Sequence, residues 1–399
     1  LITYRQAQET VLARAHGFGR EKVALDQVLG RVLAEPISAD RPYPPFNRAS
    51  MDGYAVRFED LQSGIQRFRV VDTIFAGGRS ATSAVRGDCY RIMTGAAVPA
   101  DTDTIIRRED IKEGGGEMWL APLQGSEPWR PYQNIARQGE DLAAGDVVIA
   151  NACVCGPAVV GLLATLGRTE VTVARRPRIA LLTTGDEVVP VGAPVGPVQI
   201  RNSNRWLLEA ALKKEGIGLT TCVHAPDETG LLLQEVERLL THDILILSGG
   251  VSAGDADHVP ATLEALGVQK LFHKMAIRPG KPTWCGVTPT GNIVFALPGN
   301  PFSTLVNMVL LIRPYLRACD GLPPEEPLGL PLEKGRSKRT PLDEFFPAIV
   351  HGSPARVSPV GINGSGDIRL GMTANALALH PAGSGDLPAG AEVGCYSFV

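Results

Sequence analysis

The stretch from residue 243 to residue 258 reads DILILSGGVSAGDADH. Ile244–Leu247 is a short apolar run closed at once by Ser248, Gly249 and Gly250. A run of that length reads as a fully buried strand rather than a helix. Asp255 and Asp257 follow on the glycine-rich turn. The same texture occurs three more times: RIALLTTGDE (178–187), IGLTTCVHAPDE (217–228) and NIVFALPGNP (292–301). Amphipathic segments separate these units. NSNRWLLEAALKKEG (202–216) is a capped helix stopped by Gly216, and TGLLLQEVERLLTH (229–242), VPATLEALG (259–267) and FSTLVNMVLLIRPYLRA (302–318) are helices as well. Strand alternating with helix predicts an α/β fold with a mostly parallel, doubly wound sheet. In such sheets ligands bind outside the carboxyl ends of the strands. The four polar turns therefore converge on one edge.

The texture changes on either side of this region. Residues 4–34 read as helical, with a first run at Tyr4, Ala7, Val11, Leu12 and Ala15 and a second from Val23 to Leu33. RPYPPFN (41–47) halts any helix. From about 42 to 135 short strands such as RFRVVDTIFAGG, CYRIMTG, DTIIRRED and EMWLAPL lie between Gly and Pro turns. These predict a β-rich insertion, after which GDVVIA and PAVVGLLATLG return to a strand and a helix. Beyond GLPPEEP the chain is β-like to its end. The expected division is 1–41 with 136–176, an insertion at 42–135, the α/β domain at 177–321 and a small β module at 322–399.

The 399 residues are 44% hydrophobic, enough for several buried cores, and the formal net charge is -3. A nearly balanced charge without like-charge blocks argues against a nucleic-acid surface. The seven cysteines are scattered and odd in number. They lack zinc or redox spacing, so they read as reduced, small core residues of a cytoplasmic protein. No apolar run approaches the ~18 residues of a membrane span, and LITYRQAQETVLARA does not have the pattern of a signal peptide. A soluble protein is expected.

The strand-end turns carry Asp186, Glu187, Asp227, Glu228, Asp255 and Asp257, together with Pro298, Gly299, Asn300 and Pro301. Glycines let backbone N–H groups approach phosphate. Carboxylates on the same rim need a divalent cation or nucleotide hydroxyls between them and a phosphate, and Mg²⁺ is usually held by one or two carboxylates plus phosphate oxygens. HKMAIRPGKPTWCG (273–286) adds Lys274, Arg278 and Lys281 around a Pro-Gly turn, cations suited to an oxyanion. PPFNRASMDGYAV (44–56), MTGAAVPADTDTII (93–106) and NIARQGEDLAAGD (134–146) offer Asp52, Thr94, Glu140 and Asp141. No Ser/His/Asp set and no P-loop is readable.

Seven segments occur in the order seen in the molybdopterin molybdenumtransferase family, of the MoeA and gephyrin E-domain type. They are PPFNRASMDGYAV, TGAAVPADTDTII, RQGEDLAAGD, PRIALLTTGDEVV, SGGVSAGDADH, RPGKP and LPGNPFS. The sequence resembles that family over nearly its whole length. The resemblance implies an elongated homodimer whose N-terminal region, 1–41 with 136–176, dimerises, and whose insertion is a lever domain. The implied reaction is insertion of molybdate into adenylylated molybdopterin, with Mg²⁺ as cofactor and AMP released. By this resemblance Gly249, Gly250 and Ser252 approach the substrate, and Glu187, Asp227 and Asp257 surround the metal or nucleotide. Lys274, Arg278 and Lys281 hold molybdate or phosphate. Pro298, Gly299, Asn300, Pro301 and Ser365 shape the pocket, and Asp52, Thr94 and Asp141 come from the partner subunit. Transient contact with molybdopterin adenylyltransferase and with apo-molybdoenzymes is also implied; the charge balance and the short apolar runs leave no nucleic-acid or membrane partner expected.

The alternatives are a molybdopterin adenylyltransferase, a related nucleotide pyrophosphatase, and a dimeric scaffold protein. Two departures from the family stand out. Arg278 replaces the usual Lys, and LDEFFPAIV places Asp343 and Pro347 where relatives commonly carry basic residues. Arg336 and Arg339 are the cations near enough in sequence to substitute.

Overall fold

The computed structural model describes residues 1–121, 128–251, 258–338, 340–367, 369 and 373–398. The chain divides into two units, one of Leu1–Ala34, Ala152–Val160 and Glu170–Val399, the other of Glu35–Asn151 and Gly161–Thr169.

The first unit is built on β1 (Ile179–Thr184), α1 (Ser203–Lys214), β2 (Leu219–Ala225), α2 (Thr229–Leu239), β3 (Ile244–Ser248), α3 (Val259–Ala265), β4 (Gln269–His273), β5 (Trp284–Val287), β6 (Ile293–Leu297) and α4 (Pro301–Asn307). The sheet order is β2-β1-β3-β6-β5-β4. β1 is parallel to β2 and β3, and β3 is parallel to β6. Alternate side chains of each strand serve opposite faces. Ile179, Leu181, Ile244, Ile246, Ile293 and Phe295 pack with Leu208 and Leu212 of α1 and with Phe302 and Val306 of α4. Ala180, Leu182, Leu245, Leu247, Val294 and Ala296 pack with Leu232 and Val236 of α2 and Val259 and Leu263 of α3. This is a sheet covered on both faces, as the continuous apolar runs predict. The chain leaves β1 toward β2 and returns past it to β3, so the winding reverses at β1 and opens a crevice at its carboxyl end.

One local expectation is corrected. The run from Val23 to Leu33 is not a helix. Arg20–Ala24 is a strand paired antiparallel with Glu170–Ala174, and Leu25–Gln27 is a single 3₁₀ turn. Gly19, at φ +106°, turns the chain directly into that strand. Val23, Val28, Val32 and Leu33 are all buried, but only Val28 and Val32 stand one helical turn apart. The basic turn at 273–286 is flanked by β4 and β5, which pair antiparallel and extend the sheet by a hairpin.

FSTLVNMVLLIRPYLRA is helical throughout, but Met308–Ile312 winds as a π turn between α4 and Arg313–Cys319. Pro314 has no N–H for the carbonyl one turn back, and Gln8 Nε2 of the Tyr4–Leu12 helix donates to that carbonyl, Leu310 O, at 3.0 Å.

The last segment of this unit forms a sheet from Leu328–Pro331, Asp343–His351, Ala376–His380 and Glu392–Ser397, with Arg356–Pro359 paired to Asp343–His351. Ile277–Arg278 joins it in parallel, Arg278 standing opposite Glu344. That pairing fixes the RPGKP turn against the C-terminal sheet.

The second unit carries a six-stranded sheet ordered Thr104–Arg107, Gly53–Val56, Asp88–Ile92, Arg67–Ile74, Glu117–Leu120 and Ile111–Gly114. Gly53 is obligatory there, because a Cβ would lie 2.0 Å from Ile106 O.

All seven cysteines are free. Among the described residues no helix is long and apolar enough to cross a membrane.

Candidate active site

The crevice at the carboxyl end of β1 opens into a cavity of about 1590 Å³ within the first unit. Three turns form its floor, each following a parallel strand: Thr183–Gly185, Ser248–Val251 and Pro298–Pro301. They touch one another closely. Gly249 N donates to Leu297 O at 3.1 Å. Gly249, at φ +107°, has Thr184 O where a Cβ would come within 2.6 Å, and a Cβ on Gly299 would be 3.9 Å from Gly249 Cα. Only glycine accommodates both the left-handed backbone and the approach at position 249.

The acidic wall is Glu187 and Asp227. Glu187 is exposed and folds back over Gly185, whose Cβ would meet Glu187 Oε2 at 2.7 Å. Asp227 accepts a hydrogen bond from Thr184 Oγ1 at 2.5 Å, and its backbone N–H donates to Asp186 Oδ1 at 3.1 Å. Asp186 thus organises the turn, and Asp227 keeps a second carboxylate oxygen for a ligand. Among the described residues no group of three or more His, Cys, Asp and Glu stands together as a metal nest. Asp257, Asp255 and Ser252 lie outside the described residues, as does Arg339.

The basic wall is Arg278 and Lys281, both exposed, with Arg201 and Arg336 further round. The Arg278–Pro282 turn is held from behind. Gly280, at φ +97°, packs where a Cβ would be 2.8 Å from Asn307 Nδ2, and Thr283 Oγ1 donates to Gly280 O at 2.8 Å. Asn307 is fully buried on α4 and donates to Ser303 O at 2.8 Å. Lys274 is not among the residues lining the cavity. It has a left-handed φ of +73°, and its backbone N–H donates to Thr283 O at 2.9 Å.

The C-terminal sheet closes one side. Ser365 Oγ accepts from Asn300 Nδ2 at 2.9 Å, and Ser365 O accepts from Phe302 N at 3.2 Å, which ties the 361–366 loop to the start of α4. Pro347 lines the cavity, whereas Asp343 is engaged by Ala382 N at 2.7 Å. Arg336 donates to Glu344 Oε1 at 2.6 Å and to His380 Nδ1 at 2.8 Å, with its guanidinium 4.1 Å from the Phe346 ring centre.

His380 is fully buried, and its Nε2–H donates to Gly385 O at 2.9 Å. Since arginine only donates, Nδ1 must be bare and the ring neutral. Burial depresses the ring's pKa; the bond to Gly385 O and the charge of Glu344 work the other way, and Arg336 and Lys338 add to the depression. A depressed histidine stabilises the fold above its unfolded value of about 6.5 and loses that contribution as pH falls below it. The melting temperature should therefore drop between pH 7.5 and 5 more steeply for the native protein than for His380→Gln. The difference is at most about 1.4 kcal/mol per pH unit. Parallel curves would show that His380 takes up its proton without cost.

In the second unit Asp52 and Thr94, singled out from separate motifs, are bonded to each other. Asp52 Oδ1 accepts from Thr94 Oγ1 and from Thr94 N, both at 2.7 Å. The Thr94 hydroxyl first and its N–H second hold the Asp52 carboxyl below the usual range. Asp141 is exposed on a turn whose N–H donates to Tyr43 O at 3.0 Å.

Thr184, Arg201, Asn202 and Asn204 also line the cavity, and no sequence motif marks them as site residues. NSN at 202–204 carried one signal, a helix cap. Asn202 does accept from Arg205 N at 3.1 Å, but both asparagines also reach strand ends far away in sequence.

A reversed-winding α/β domain whose glycine turns, carboxylates and cations line one cavity, with a C-terminal sheet against its rim, has the architecture of a small-ligand binding domain. Models of known families match residues 2–167 (MoeA N-terminal region, domains I and II), 180–318 (probable molybdopterin binding domain) and 330–398 (MoeA C-terminal region, domain IV). The chain is 32% identical over 398 residues to a molybdopterin molybdenumtransferase of Staphylococcus epidermidis, which covers 98% of this chain and 94% of the relative. It is 33% identical to the protein of that name in Staphylococcus aureus, with the same coverage. A solved molybdopterin biosynthesis MoeA protein of Pyrococcus horikoshii superposes with a TM-score of 0.84 at 30% identity, covering 100% of this chain and 99% of that one. The chain belongs to the molybdopterin molybdenumtransferase (MoeA) family.

Proposed function

We propose that this chain inserts molybdate into adenylylated molybdopterin, releasing AMP, with Mg²⁺ held by Glu187 and Asp227. Membership of the family makes molybdenum cofactor biosynthesis by molybdate insertion the function and transferase the class. The observation that supports the finer reading is that Glu187, Asp227, Arg278 and Lys281 line one cavity together with the glycine turns. The carboxylate pair fits a hard cation, which takes oxygen ligands and leaves positions for phosphate; Asp257 completes the proposed set. When bound, Mg²⁺ neutralises charge on the pyrophosphate. Arg278 and Lys281 hold the oxyanion by charge-assisted hydrogen bonds. Gly249 and Gly250 let backbone come near the phosphate, and Asn300 with Ser365 fixes the rim on the C-terminal side. Water adds to the adenylyl phosphorus as its bond to the pyrophosphate bridging oxygen breaks, AMP departs and the pterin keeps its phosphate, and the two dithiolene thiols bind molybdenum while one molybdate oxygen leaves as water with their protons.

We assign dimerisation to 1–41 with 136–176, the lever to 42–135, substrate binding to 177–321 and a rim module to 322–399. In this reading the protein is a cytoplasmic homodimer in which Asp52, Thr94 and Asp141 of one subunit face the cavity of the other. Lys274 supports the basic turn, and transient contacts hand substrate and product to and from the adenylyltransferase and apo-molybdoenzymes. A lone adenylyltransferase needs only a region like 180–318, whereas the family matches extend to 2–167 and 330–398.

Arg278→Ala should raise the molybdate concentration for half-maximal AMP release by about 10- to 100-fold, the worth of a charge-assisted hydrogen bond. Arg278→Lys keeps the charge without the fork and should lose less. An unchanged molybdate dependence in Arg278→Ala would remove the arginine from oxyanion binding.

A further inference from the structure

Thr183, Ser248 and Gly299, one from each turn of the cavity floor, are bonded by the first turn of a single helix. Asn202, the N-cap of α1, donates Nδ2–H to Thr183 Oγ1 at 2.8 Å. Asn204, two residues on, donates one Nδ2–H to Ser248 Oγ at 2.9 Å and the other to Gly299 O at 2.7 Å. Gly299 O only accepts, so the amide orientation is fixed: nitrogen faces the turns, and both of its protons are used. Asn204 is 8% exposed, and its Oδ1 is buried without a hydrogen-bond partner. A buried amide with an unmatched oxygen is costly in isolation, so packing alone does not favour asparagine at this place.

We infer that Asn204 is a positioning residue for the transferase reaction, setting the separation of the Ser248–Gly250 and Pro298–Pro301 turns. Its two donors grip the ends of neighbouring parallel strands β3 and β6 at the point where a Cβ on Gly299 would already be 3.9 Å from Gly249 Cα. No other side chain of α1 reaches both turns among the hydrogen bonds of the described residues. Asn204 acts through Ser248 and Gly299 and does not itself touch the reacting atoms. The inference rests on the molybdate-insertion reading, since it assigns the effect to that substrate.

The test uses full-length protein, adenylylated molybdopterin and molybdate. Asn204→Asp is nearly isosteric but places a carboxylate oxygen against Gly299 O, so the two turns part. The expected result is a kcat for AMP release lower by roughly 10- to 100-fold, the order a misplacement of about 1 Å produces, with the melting temperature near that of the native protein. Ser248→Ala keeps the bond to Gly299 and should lose less. If Asn204→Asp does not fold, Ser248→Ala carries the test: a fall in kcat of at least about threefold, part of the misplacement effect, supports the inference, and native kcat and KM overturn it. Native kcat and KM in folded Asn204→Asp likewise overturn it while leaving the transferase reading intact. Should the native protein bind substrate without turnover, molybdate insertion fails instead. Calorimetric titration with adenylylated molybdopterin then decides for Asn204: binding weaker by about tenfold supports positioning of the turns, and equal binding overturns it.

Discussion

Glu187→Gln combined with Asp227→Asn should lower AMP release from adenylylated molybdopterin by about 10²–10³-fold, the effect of removing charge from where it must meet a transition state. The melting temperature should move little. Glu187 is exposed and contributes no core packing. Among the described residues the Asp227 carboxylate accepts a hydrogen bond from Thr184 Oγ1, and asparagine can still accept it through its own Oδ1. The double variant therefore removes negative charge from the rim and leaves the turn in place. Gly185→Ala offers an independent approach to the same group, since its Cβ would displace the Glu187 carboxylate at a residue whose φ is +134°. Steady-state AMP release and thermal melts check both. Turnover that survives in the double variant would separate these carboxylates from the metal and the nucleotide.

Gly249→Ala is expected to be as damaging by a different route. The new Cβ would come within 2.6 Å of Thr184 O, a backbone atom that cannot swing away, at φ +107°. A left-handed non-glycine residue alone costs about 1–3 kcal/mol, and relief of the clash must move the end of β1 from that of β3. That movement opens the crevice floor, so both the melting temperature and AMP release should fall. Gly291→Ala, at a half-buried turn position with φ +91° and nothing within 4 Å of a Cβ, is the control. It carries the backbone cost without the clash and should lose stability while keeping turnover. Equal activity in the two variants would show that the Gly249 contact does not shape the site.

The α/β domain was legible because its strands are continuous apolar runs closed by turn residues, and each signal is complete within about ten residues. IALLTT, ILILS and IVFAL are parallel neighbours in the sheet. The convergence of the turns after β1, β3 and β6 followed from chain direction alone, because each succeeds a parallel strand, whereas the basic turn lies in the antiparallel hairpin of β4 and β5. What could not be read locally was partnership across long separations. Asn204 lies 44 residues from Ser248 and 95 from Gly299, and as sequence it resembles only a helix start. Lys274 sits close to Arg278 and Lys281 in sequence, yet backbone pairing with Thr283 at the base of the hairpin accounts for its conformation. The 23–33 segment misled because its buried Val23, Val28, Val32 and Leu33 serve a strand and loops, and apolar residues without a clear period do not distinguish those from a helix. Asp52 and Thr94 were each selected for motif texture, and their mutual bond became visible only once the strands of the second unit were aligned.

The most direct test is AMP release from adenylylated molybdopterin by the full-length protein, measured with and without molybdate and with and without Mg²⁺. Release that requires both is the expected result, with molybdenum recovered on the pterin product. Substrate that binds tightly and is never cleaved, whatever ions are supplied, would contradict molybdate insertion and leave a carrier or scaffold in its place.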